Sequence, residues 1–150
     1  MSDASLLKKW AALLQKRSWS FIVNEVKHFL MLNVSKDGVS HPVKVQFKED
    51  ASIVISTLSY KRKTPSDQRN HMINFLNIIN LEVSIGGFEM DRHDGEVRFR
   101  HSVDVESIVL SDVFVHNFMN TVAMTGCKYY NAICSIMDGK TQEAYNMLRK

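Results

Sequence analysis

The sequence predicts an α+β fold in which helices cover an antiparallel sheet, in the order α-βββ-α-ββ-α(-α). Three observations predict it. Strict two-residue alternation, as in Val43, Val45 and Phe47 against Lys44, Gln46 and Lys48, marks strands. Apolar spacing of three and four, as in Leu6, Leu7, Trp10, Leu13 and Leu14, marks helices. The strands come in runs joined by short turns, which favours antiparallel pairing. The chain has 150 residues, 45% hydrophobic and 23% charged, with two prolines and six glycines, which suits one domain over residues 1–150. A domain of that size buries enough apolar surface to fold without disulfides or metal.

The first helix is predicted over residues 4–16, with Asp3 or Ser5 as its cap. Ser18 to Val23 alternates loosely and reads as a short strand or an extended lead-in. Residues 27–35 form the next apolar stretch, and Lys36-Asp37-Gly38 turns the chain, because glycine tolerates positive φ. Pro42–Lys48 alternates, Glu49-Asp50 turns again, and Ile53–Tyr60 is apolar on both faces, as an interior strand is. These segments make a three-stranded meander. Lys61 to Ser66 breaks it: Pro65 excludes an inner strand position and Ser66 is a good helix cap. Asp67 suits the first turn of a helix that runs to about Asn80. Met72, Ile73, Phe75, Leu76, Ile78 and Ile79 cover more of that helix than one packing face needs, so it requires a second partner.

Leu81, Val83 and Ile85 open a further strand, which Gly86-Gly87 interrupts. The apolar parity then shifts to Phe88 and Met90, which predicts a bulge. Asp91 to Gly95 is a hairpin turn, and Val97, Phe99, His101, Val103 and Val105 share one face of the return strand. One long helix is expected from Ser111 to about Asp138, bent or closely packed at Gly126, followed by a short helix in residues 141–150.

Residues 1–75 hold 12 Lys and Arg against 6 Asp and Glu, whereas residues 76–150 hold 7 against 10. A basic half and an acidic half predict complementarity within the fold or between copies, more than a nucleic-acid footprint. Cys127 and Cys134 lie seven apart on the predicted helix, too far along its axis for a disulfide, and read as buried thiols of a reducing compartment. The chain shows no apolar leader and no long uncharged run, so a cytoplasmic location without membrane insertion is expected.

The sequence contains no phosphate loop, no Cys-x-x-Cys, no paired His on one helix and no Gly-x-Ser-x-Gly elbow. No enzymatic activity, cofactor or metal is therefore expected. His101 falls on an apolar strand face and reads as a buried neutral imidazole; His93 with Asp91 and Asp94 reads as a solvated turn. Lys61, Arg62 and Lys63, with Arg69, form the candidate nucleic-acid surface, which Lys44 and Lys48 extend. Tyr60 is the one aromatic beside that run, which makes nucleic acid the less favoured partner. Arg98 and Arg100 share a strand face and are placed either to clamp a partner's carboxylate or to pair with Glu82 or Glu89. Met31, Met72, Met90, Met119, Met124 and Met137 fall at apolar positions, as core or as an adaptable groove for an apolar peptide.

Specific residues also carry a resemblance. They are Trp19-Ser20-Phe21, then Phe75-Leu76-Asn77-Ile78-Ile79-Asn80, Gly87-Phe88-Glu89-Met90-Asp91, Asp94 to Arg100, and Val103-Asp104-Val105-Glu106. From Trp19 to about Gly139 the chain resembles the YbjN-like proteins, a family of bacterial sensory transduction regulators with the fold of type III secretion chaperones. The Gly-Phe-x-x-Asp-x-x-Asp-Gly-x-Val hairpin is the most distinctive element. The resemblance implies a non-enzymatic binding protein, chaperone-like or regulatory, that works as a homodimer and holds an extended segment of a protein client. It implies no catalytic residue, and it places the second helix at the dimer interface, through Met72, Phe75, Leu76 and Ile79. The last helical segment departs from the family pattern. A client segment is expected along a sheet edge or in a groove beside the long helix. The alternative is a nucleic-acid-binding regulator that uses the basic loop 61–69.

Overall fold

The structure is a computed structural model that describes residues 5–149. The candidate cap Asp3 lies outside the described residues, as do Ala4 and Lys150. Helix α1 (Leu6–Lys16) starts at Ser5, whose hydroxyl accepts from the Lys8 amide at 3.2 Å. Strands β1 (Ile22–Asn24), β2 (Phe29–Lys36), β3 (Val39–Lys48) and β4 (Ile53–Lys63) follow. Then come α2 (Arg69–Glu82), β5 (Gly87–Met90), β6 (Glu96–Asp104), α3 (Asp112–Lys128), α4 (Tyr130–Met137) and α5 (Thr141–Met147). The six strands form one sheet in the order β1-β2-β3-β4-β6-β5, every pair antiparallel. The predicted α+β class holds, and the loosely alternating lead-in is a strand that lengthens the meander to four.

The register explains the core. Leu32, Val43, Leu58, Phe99 and Phe88 stand opposite one another across five strands and are all buried. This is the face the helices cover, and successive side chains point to opposite faces of a strand. Helix α3 lies across β4 and β6 and against α1, while α2 packs on β5 and α4, and α5 on α4. Trp10 of α1 ties the layers together, edge-on to Phe47, Phe114 and Phe118. Among the described residues, the other face of the sheet carries no helix. Its central row reads Ile22, Met31, Lys44, Thr57, Arg100 and Gly87.

Four local expectations are corrected. Leu81, Val83 and Ile85 do not form a strand: α2 continues to Glu82, and Leu81 and Ile85 are exposed. The reason is Gly86, which takes φ +76° with its would-be Cβ position 2.6 Å from the Phe99 ring, so the strand begins only at Gly87. The parity change marks that turn. The register shift falls instead on β4, between Ser59 and Lys63. Ser66 does not cap α2, because Ser66–Gln68 form a single 3-10 turn before it. The long helix is two helices, broken at Tyr129 between Cys127 and Cys134, which are both free thiols.

Candidate functional site

The four side chains expected at a subunit interface are core. Met72, Phe75 and Ile79 are fully buried and Leu76 is 4% exposed within the single chain. The wide apolar surface of α2 does have a second partner, but it is the C-terminal helices of the same chain. Phe75 meets the Tyr145 ring edge-on, with centroids 5.0 Å apart. The assignment of a dimer interface to Met72, Phe75, Leu76 and Ile79 is therefore corrected, because a residue already packed on both sides has no surface left to give a partner.

The basic loop is a structural junction. Lys63 pairs with Asp94 at 2.9 Å and Arg62 with Asp138. Arg69 donates to the carbonyls of Thr64 at 3.1 Å and Arg92 at 3.0 Å. The Lys63 and Arg69 bonds clamp the hairpin between β5 and β6 onto the end of β4, and the Arg62–Asp138 pair ties β4 to the end of α4. Lys61 remains exposed, with no salt bridge among the described residues. Three of the five salt bridges among the described residues, Arg17–Asp112, Arg62–Asp138 and Lys63–Asp94, join the basic half of the chain to its acidic half. The charge division is in large part internal complementarity.

The hairpin motif has a structural task at each position. Asp91 accepts from the His93 amide at 2.9 Å, and its own carbonyl accepts from the Gly95 amide at 2.8 Å. Asp94 accepts from the Glu96 amide at 2.9 Å, and its other oxygen takes Lys63. Asp91 and Asp94 are thus both engaged in the turn. Gly95 sits at φ +80° with its would-be Cβ position 2.2 Å from the Thr64 carbonyl oxygen. Phe88 is buried, and its backbone N–H and C=O both bond the Asn80 amide, at 2.8 and 3.0 Å. That closes the outer edge of β5.

Of the paired arginines, Arg98 is committed to its own sheet, to Glu89 at 2.7 Å and Glu96 at 3.4 Å. Arg100 stands exposed on the helix-free face, in no salt bridge among the described residues. His101 lies on the covered face and stacks on Phe118, centroids 4.2 Å apart; burial lowers its pKa and favours the neutral ring. His41, which the sequence left unremarked, is more deeply placed. It is 1% exposed between Tyr60 and Tyr130.

Two surfaces stand out, and only the first was not expected from the sequence; the second answers to the groove expected beside the long helix. A groove of about 950 Å³ runs between α1 and residues 105–110. Leu6, Leu13 and Leu110 line it, with Lys9 and Lys16 on one wall and Glu106 on the other. Beside it Val109 is 91% exposed. The available signal was the apolar run Ile108-Val109-Leu110 in a loop, of which Leu110 packs against the core while Ile108 and Val109 stay exposed. The second surface lies along β2 and α3, where Met124, for which the sequence left core and adaptable groove open, is 71% exposed.

A helix-covered antiparallel sheet, whose distinctive motif builds a turn and whose apolar side chains reach the surface at Val109, Met124 and elsewhere, suits a regulatory or binding domain, and the family match supports that role. The chain belongs to the YbjN family: the family model described as "Putative bacterial sensory transduction regulator" matches residues 11–135. The crystal structure of YbjN from E. coli, described as a putative transcription regulator, is similar in fold, with a TM-score of 0.60 at 12% identity over 83% of this chain and 91% of that one. No curated protein matches the sequence. Among the described residues no helix is long and apolar enough to cross a membrane.

Proposed function

We propose that this chain is a non-enzymatic protein-binding module of the cytoplasm, regulatory or chaperone-like, that works as a homodimer. The groove between α1 and residues 105–110 carries the reading. Its walls have opposite charge, Lys9 and Lys16 against Glu106, and Val109 projects beside its apolar floor. A two-fold axis along the groove sets each lysine wall against the partner's glutamate wall and buries both valines, as a self-complementary isologous interface requires. Two free cysteines fit a reducing compartment. Light scattering of the protein at tens of micromolar (roughly the range where modest dimers form) tests it: a dimer is expected, and a monomer overturns the dimeric reading.

A second reading, nucleic-acid binding, draws on the exposed Lys44, Lys48, Lys61 and Arg100, none of which forms a salt bridge among the described residues. The name given to the E. coli relative agrees with it. It is the weaker reading, because Arg62, Lys63 and Arg69 are engaged in the fold. It requires affinity for DNA that falls steeply with salt.

A further inference from the structure

The two edges of the sheet are built differently. At β5 the Asn80 side chain occupies both outward backbone groups of Phe88, so that edge accepts no further strand. At the other edge β1 ends with Ile22 opposite Met31. From Leu32 to Lys36, β2 has β3 on one side and, among the described residues, no strand on the other, with Ser20 and Phe21 reaching only as far as Leu32 and Asn33. A bare edge of this kind is a template for strand addition.

The bare stretch also borders a groove. Val34, Ala123, Met124 and Cys127 form its apolar wall, and its volume is about 580 Å³. Burial pushes the Cys127 thiol up, so it stays protonated and acts as an apolar side chain. Lys36 and Lys128 also line the groove, in no salt bridge among the described residues. Asp37 in the adjoining turn forms no salt bridge with either lysine among the described residues.

The register on β2 sets what can lie there. Leu32, Val34 and Lys36 share the parity of the buried Leu30 and so point to the helix-covered side. A strand laid antiparallel on this edge therefore presents an acidic residue beside Lys36, then apolar residues beside Val34 and Leu32, at every second position. A second copy fits poorly, because antiparallel self-pairing about Val34 sets Lys36 of each copy beside Leu32 of the other and offers it no carboxylate.

We infer that the β2 edge from Leu32 to Lys36, with the groove against α3, is a binding site for an extended partner segment of the pattern acid-x-apolar-x-apolar, added as a seventh strand. Backbone hydrogen bonds supply sequence-independent affinity, and the alternate side chains supply selection. Met124 is well suited to the groove wall, since a thioether adapts to different apolar partners. The inference rests on the protein-binding reading above and adds the place and the chemistry of the partner.

The test uses the full chain and a fluorescent peptide carrying Glu-Thr-Val-Thr-Leu at its centre, followed by anisotropy. Saturable binding is expected, weakened about tenfold or more, or 1.4 kcal/mol, by Met124→Glu and by Lys36→Glu. Both substitutions are at exposed positions, and unchanged circular dichroism and melting temperature verify that the variants fold. A peptide with lysine in place of the glutamate should bind Lys36→Glu better than it binds the unaltered protein. A peptide with proline for the first threonine should not bind, because that residue lies opposite Ser35, whose backbone groups face the open edge, and proline removes its ladder bond. Absence of saturable binding, or binding indifferent to Met124→Glu, overturns the inference. So does a dimer that Met124→Glu dissociates, which would assign the edge to a second copy. Light scattering of the same samples reports the dimer independently, so the two readings fail separately.

Discussion

The Tyr60 hydroxyl donates to the Gly126 carbonyl at 2.5 Å, joining the last turn of α3 to the middle of the sheet. Tyr60 is 2% exposed, and burial raises its phenol far above its ordinary pKa, so it remains a donor at every accessible pH. The carbonyl needs this partner because α3 ends two residues later and its last carbonyls have no helical amide. Tyr60→Phe leaves that acceptor buried and unpaired. A loss of about 1–3 kcal/mol is expected, read as a lower urea midpoint with unchanged slope.

Gly126 itself permits the contact. Its would-be Cβ position is 2.7 Å from a Leu58 methyl, and Leu58 is fully buried in the central row of the core. Gly126→Ala must move Leu58 off its rotamer or lift α3. Overpacking of this kind costs about 1–3 kcal/mol, and denaturant titration beside Tyr60→Phe would show the two effects to be coupled.

Gly95→Ala should be more damaging. The residue has φ +80°, and its would-be Cβ position is 2.2 Å from a backbone oxygen that cannot swing aside as a side chain can. The Thr64 amide bonds the Gly95 carbonyl at 2.8 Å, so the clash also opens the junction held by Lys63 and Arg69. The expected loss is about 3 kcal/mol or more. Amide exchange should quicken first in β5 and the hairpin.

Two aspartate substitutions separate core from surface. Phe75→Asp places a carboxylate among α2, α4 and α5 at a fully buried position, and the variant should be insoluble or unfolded. Val109→Asp lies at a 91% exposed position and should fold with an unchanged melting temperature in dilute solution. If the groove beside α1 is the interface, light scattering should find this variant monomeric.

Acid should weaken the fold before its carboxylates titrate. Burial, and then the charge on Lys61, lower the pKa of His41 in the folded chain, and burial does the same for His101. Above about pH 6.5 both states carry neutral imidazoles and these residues add no pH dependence. Below it the unfolded chain takes up protons that the folded chain refuses, so stability falls until the folded imidazoles protonate in turn. Urea midpoints measured from about pH 7.5 to about pH 5 should drop, and His41→Leu should flatten the drop.

Local chemistry made much of this molecule legible. The alternation from Val43 to Phe47 and from Val97 to Val103 specified strands and their buried face, because side-chain direction in a strand depends only on parity. Asp91, Asp94 and Gly95 specified their hairpin, because its bonds run between residues a few positions apart. The excess apolar surface on α2 announced a second packing partner. Whether that partner was another copy or the chain's own α4 and α5 depended on where the C-terminal helices return, which no local pattern contains. The same holds for charge. The sequence by itself determined a basic half and an acidic half; the tertiary structure decided that Arg62 meets Asp138 across 76 positions, and that Lys63 meets Asp94. It alone decided that one sheet edge is closed by Asn80 and the other left bare beside Met124, because an edge belongs to the order of strands in space, and short-range energies do not set that order.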